Sequence, residues 1–112
     1  MAYLKDILAY ANSELDINNY KDYCPNGLQV SGSENINCLV SGVSLNMELI
    51  DAAISCNADA ILVHHGAFWH KEPQILTGVK RNRITKLLKH NISLLAYHLP
   101  LDAHNIYGNN VL

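Results

Sequence analysis

From Ile36 to Tyr97 the chain alternates short apolar runs with longer amphipathic ones, and no other feature constrains its fold as tightly. Cys38-Leu39-Val40-Ser41 is strand-like and ends at Gly42. Asn46 to Ser55 reads as a helix. Met47, Ile50, Ala53 and Ile54 share one face, Glu48 sits in the first turn, and Ser44 or Asn46 supplies a cap. Ala60-Ile61-Leu62-Val63 is a short Ile/Val-rich run, which reads as a buried strand. Lys80 to His90 is helical, with Ile84, Leu87 and Leu88 facing inward, and Asn91 ends it. Ser93 to Tyr97 is the next strand. The order is β-α-β-α-β. Crossovers long enough to hold a helix predict parallel strands connected right-handedly. The expected class is α/β: a mostly parallel sheet with helices packed on it.

The first third is less regular. Tyr3 to Glu14 carries Leu4, Ile7, Leu8 and Ala11 at helical spacing, with Lys5 and Asp6 off that stripe. Asp16 to Asp22 is polar and reads as a loop or short turn. Pro25-Asn26-Gly27 is turn chemistry, and Leu28-Gln29-Val30 alternates like a short strand. Ser31 to Asn35 is a second turn. At the other end, Gly108-Asn109-Asn110 looks like the lead-in to a further helix.

With 112 residues, the chain is one domain of ordinary globular composition, 49% apolar and 16% charged. Its net charge of −2 gives no support to nucleic-acid binding, although the charges are segregated. Residues 1–59 hold Lys5 and Lys21 against eight acids, while residues 60–112 hold six bases against Glu72 and Asp102. No run approaches the roughly 18 apolar residues of a membrane span. Asp6 interrupts the N-terminal apolar stretch, which spoils a signal-peptide plan. Cys24, Cys38 and Cys56 are odd in number and form no CxxC pair, so they read as free thiols in a reducing cytosol. A cytoplasmic protein is the expectation.

The chemistry gathers at two strand ends. His64, His65 and Gly66 follow one strand; His98 and Asp102 follow the next. In open α/β sheets, ligands bind beyond the carboxyl ends of the strands. Neighbouring parallel strands lie about 4.8 Å apart, so both sets open into one crevice. Three imidazoles and a carboxylate there suit Zn, Fe or Mn, and a carboxylate can bridge two cations. A polar rim on the sheet is the alternative, and two ligand-rich strand ends together count against it. His90 ends a helix and reads as structural, His70 as exposed, and His104 as a candidate outer ligand. Lys80, Arg81, Arg83, Lys86 and Lys89 wrap the polar side of one helix, either a solvated face or one that meets phosphates. Phe68 and Trp69 either stack a ring near the site or pack. No GxGxxG, P-loop or GxSxG is present.

PNGLQV at Pro25–Val30, ADAILVHHGAFW at Ala58–Trp69, KRNR at Lys80–Arg83 and HLPLDAHNIYGNN at His98–Asn110 resemble the NIF-three-like family. Bacterial members are labelled GTP cyclohydrolase 1 type 2. The similarity runs over nearly the whole chain from Asp22 onward. It implies a site for two divalent metal ions in an α/β subunit and a toroidal homohexamer. His64, His65 and Asp102 stand where the family places metal ligands, Asp102 as the bridging one, and His98 at a site-lining position with a candidate catalytic role. The implied activity is metal-dependent hydrolysis of a nucleotide-like or other phosphorylated small molecule. The alternative is a non-catalytic ring-shaped scaffold or regulatory protein, DNA-damage related or binding nucleic acid or protein, with a structural or vestigial metal. Members are roughly twice as long, an expectation in keeping with domain sizes. Their remaining ligands, a His and a Glu four residues later, lie in a C-terminal half. The chain is therefore expected to be the N-terminal part of a longer two-part protein, or a shortened form, with at most weak or partial metal occupancy and no activity alone.

Overall fold

The structure, a computed structural model, describes residues 2–19, 21–22, 24–70, 72 and 75–100. Its elements in order are β1 (Ala2–Tyr3), α1 (Leu4–Glu14), a 3-10 turn (Ile17–Asn19), β2 (Gly27–Val30), β3 (Asn35–Ile36), β4 (Leu39–Ser44), α2 (Met47–Ser55), β5 (Ala60–His65), α3 (Gly78–Lys89) and β6 (Ser93–Ala96). Four strands form one sheet in the order β2-β6-β5-β4. β4, β5 and β6 run parallel, as their long crossovers require. β2 adds to β6 antiparallel, with a bulge between Leu28 and Val30. The expected α/β class with a mostly parallel sheet is what is observed.

Alternation along the strands builds two cores. Ile61, Val63, Leu94 and Ala96 point to one face, where Ile50 and Ala53 of α2 and Leu87 of α3 cover them. Ala60, Leu95 and Tyr97 lie in the other cluster, under Leu4, Ile7, Leu8 and Ala11 of α1. The result is an α/β/α sandwich. β6 is buried at all four positions, as a central strand covered on both faces must be. Leu94 and Leu95 are fully buried, and each contributes about 1.5–3 kcal/mol by leaving water.

Each helix ends on a left-handed polar residue: Asp16 after α1, Asn57 after α2 and Asn91 after α3, with φ of 56°, 56° and 54°. Asn and Asp tolerate this conformation better than other residues with a side chain, so they take the place glycine often holds. α2 begins where Asn46 accepts a hydrogen bond from Leu49 N at 2.8 Å.

Three local expectations need correction. Gly42 does not end a strand, since β4 runs on to Ser44. A Cβ at Gly42 would lie 2.7 Å from Leu49 Cδ2, so a side chain there would make Leu49 of α2 shift. Leu88 is not inward but 54% exposed, because α3 seats on the sheet through Ile84 and Leu87 alone. The segment Ser31 to Asn35 is not only a turn, because Asn35–Ile36 pairs antiparallel with Ala2–Tyr3. Residues 108–110 lie outside the described residues.

Candidate metal centre

β5 carries the two adjacent histidines as its last residues rather than beyond its end. On the β4 side the ladder continues to the pair Ser44↔His65; on the β6 side it stops at Val63↔Ala96. Neighbouring residues of a regular strand point to opposite faces. Here the His64 and His65 ring centroids are only 4.4 Å apart. The third ring, His98, follows β6, with its centroid 4.8 Å from His64 and 5.4 Å from His65. One ligating nitrogen from each of the three lies within 4.8 Å of the others. All three side chains are half-buried.

Each flanking contact leaves a nitrogen suited to a cation. His65 Nδ1 is 3.1 Å from Ser44 Oγ. The tautomer that donates from Nδ1 to Ser44 leaves the Nε2 lone pair for a ligand. His98 Nδ1 is 2.8 Å from Asp22 Oδ1, and the Asp22 side chain is only 2% exposed. Asp22 Oδ2 accepts from Leu99 N at 2.7 Å and from Asn26 Nδ2 at 3.1 Å. Asn26 Oδ1 in turn accepts from His98 N at 2.8 Å. A buried carboxylate needs such donors to offset its lost hydration. Held this way, it fixes the plane of the imidazole and presents Nε2 to the cluster.

The approach loop is pinned from β2. Gln29 donates to Pro25 O at 2.9 Å and accepts from Ala67 N at 2.8 Å. At Gly66, a Cβ would stand 2.2 Å from Gln29 Oε1 and 2.8 Å from Ala96 Cβ, so a larger residue would force these neighbours or the loop to shift. Trp69 then returns over the imidazoles, edge-on to His98 at 5.2 Å and 5.8 Å from His65. Phe68 packs against the core instead, with Lys80 Nζ above its ring at 4.4 Å.

The fold thus brings His64, His65 and His98 to one place. Asp102 and His104 lie outside the described residues, so the carboxylate expected to bridge is not described. His70 and His90 are exposed. The residue that sequence reasoning missed is Asp22, which looked like the end of a polar loop. Its one signal was its place just before the Pro25-Asn26-Gly27 turn, beside Asn26 at helical spacing. Cys24 also lies within 4.8 Å of Asp22 and His98 through its sulfur. Burial above all, then the Asp22 carboxylate, pushes its thiol up to about 11. Three neutral nitrogen donors on a partly buried rim fit a borderline divalent ion such as Zn or Fe(II).

Comparison with known proteins places this geometry in a lineage. The model of the family Duf34/NIF3 (NGG1p interacting factor 3) matches residues 2–112. A "GTP cyclohydrolase 1 type 2 homolog" of Yersinia pestis is 54% identical over 99 residues, 88% of this chain and 40% of that protein. One from Allochromatium vinosum is 51% identical over 110 residues, 98% of this chain and 43% of that protein. Among solved structures, protein ybgI, described as of unknown function, superposes with a TM-score of 0.95 at 43% identity, over 97% of this chain and 44% of its own. A protein from Thermus thermophilus superposes with a TM-score of 0.90 at 32% identity, over 96% of this chain and 44% of its own. The chain thus spans less than half the length of these relatives.

Proposed function

The chain belongs to the Duf34/NIF3 family, and on that premise we propose that it forms part of a metal-dependent hydrolase of the GTP cyclohydrolase 1 type 2 kind, acting on a nucleotide-like substrate. The observation that carries this reading is the convergence of His64, His65 and His98 at the carboxyl ends of two parallel strands. His64 and His65, with Asp102, would hold divalent metal, and His98 completes or lines the site. Bound there, such ions would polarise a substrate oxygen and lower the pKa of water.

The protein's own groups would do the rest. Asp22 holds the His98 ring through Nδ1, so that Nε2 faces the cluster, where it would complete the metal's ligand set or, left unligated, take or give a proton at the substrate. Ser44 orients His65 in the same manner. Trp69 shields one side of the imidazoles from water and offers an aromatic wall to a base. Assembly into a homo-oligomer, a toroidal hexamer by the resemblance, belongs to the same reading, and sedimentation in solution tests it.

The experiment is turnover of GTP and of simple phosphoesters by a full-length form of the protein, with and without Zn, Mn or Fe(II). Metal-dependent product formation, lost in His64→Ala, is the expected result. Metal bound with no turnover of any of these compounds would remove the enzyme reading and leave a non-catalytic, metal-holding scaffold.

A further inference from the structure

Helix α3 carries five basic residues, and the structure divides them. Lys86 pairs with Asp51 at 2.6 Å. Arg81 and Lys89 are exposed. Lys80 and Arg83, one turn apart on the same face, instead line a pocket of about 230 Å³ with Gly66, Ala67, Trp69 and Glu72. Lys80 Nζ and Arg83 Nε are both buried and, among the described residues, neither has a hydrogen-bond partner. The Lys80 side chain is 17% exposed, and its acidic neighbour among the described residues, Glu72 Oε2, stands at 3.6 Å, beyond hydrogen-bonding distance. Two like charges at this spacing repel, and partial burial sharpens the repulsion. The Phe68 ring lies under Lys80 Nζ at 4.4 Å but accepts no ordinary hydrogen bond, and an anion in the pocket would give both side chains an acceptor.

The pocket shares walls with the imidazole cluster. Gly66 follows His65 directly, and Trp69 stands between the basic pair and His98. Its volume is below the roughly 300 Å³ at which pockets hold whole small molecules. It suits one phosphoryl group with a few waters.

We propose that Lys80 and Arg83 form a phosphate-binding arm of the site, which takes the phosphoryl group of a phosphorylated substrate while its remainder lies against Trp69 and the imidazoles. The role as a substrate arm rests on the hydrolase reading; the binding of phosphate does not. Glu72, a lining residue with its side chain 45% exposed, competes with the anion for Lys80.

The test is titration of inorganic phosphate and of GMP into the protein stripped of metal with a chelator, followed by calorimetry and Trp69 fluorescence. Saturable binding is expected, with GMP tighter than inorganic phosphate. Lys80→Gln with Arg83→Gln should weaken binding at least about tenfold, since both charged donors to the anion are lost. Arg83→Gln alone should weaken it by about threefold or more, Arg81→Gln should leave it unchanged, and Glu72→Gln should tighten it. Melting curves verify that each variant is folded. Absent binding of both probes, or equal binding by the double variant, overturns the proposal, and GMP binding no tighter than phosphate overturns the substrate-arm role. Turnover failing while phosphate still binds through Lys80 and Arg83 would sink only the hydrolase reading.

Discussion

Asp22 and His98, 76 residues apart in sequence, meet at 2.8 Å, and the carboxylate that holds the imidazole is almost wholly withdrawn from solvent. Three further hydrogen bonds tie Asp22, Asn26, His98 N and Leu99 N into one unit. The loop before β2 is thereby locked to the chain leaving β6.

Removing the charge while keeping the shape isolates what this contact does. Asp22→Asn should lower divalent-metal affinity by about 10–100-fold, the usual cost of losing a carboxylate behind a ligating histidine. Asp22→Ala should in addition destabilise the fold by about 1–3 kcal/mol, because buried donors lose their acceptor. Zinc titration beside denaturant unfolding separates the two effects. Unchanged affinity in Asp22→Asn would show that His98 does not act at a metal.

Gly66 tests how closely the loop must approach the sheet. Gly66→Ala forces a Cβ into Gln29 and Ala96, and overpacking of this kind costs about 1–3 kcal/mol. Adding Gln29→Ala should return part of that loss by removing the nearer obstacle. A double-mutant cycle in urea measures the coupling, and additive losses would mean that the loop moves aside.

The Tyr97 hydroxyl donates to Asn12 Oδ1 at 2.7 Å and ties β6 to α1. Tyr97→Phe should therefore cost about 0.5–1.5 kcal/mol in unfolding free energy. A larger loss would indicate that packing around the ring depends on the hydroxyl as well.

Alkaline pH should weaken the fold. Burial raises Tyr97 from 10.0 to about 12, and burial followed by the Asp22 carboxylate raises Cys24 from 9.0 to about 11. In both cases the unfolded chain releases its proton first. The stabilising contribution is complete below pH 9 and is lost as pH climbs through the folded values. Melting temperature should be level from pH 7 to about 9 and then fall. A Cys24→Ser, Tyr97→Phe variant should show a shallower fall.

Much of this arrangement is legible in the sequence. The runs Ala60–Val63 and Leu94–Tyr97 are apolar because both faces of a central parallel strand are covered, and that pattern alone put His64, His65 and His98 at neighbouring strand ends. What local pattern cannot supply is partnership over distance. Asp22 reads as one more polar loop residue, since nothing near it reveals a histidine 76 residues away. Lys80 and Arg83 cannot be told from Arg81 or Lys89 by composition, because only the packing of α3 beside Gly66 and Trp69 turns them inward. Leu88 fails for the opposite reason: it matches the helical stripe, yet the stripe that seats on the sheet is narrower than the periodicity suggests.

The central claim is that the three imidazoles are a metal site, and calorimetric titration with zinc tests it most directly. The account predicts weak binding of no more than one ion per chain, abolished by His64→Ala with His65→Ala, reduced by His98→Ala, and untouched by His70→Ala on the exposed loop. Zinc binding that survives loss of both His64 and His65, or none at all in the unaltered protein, would contradict it.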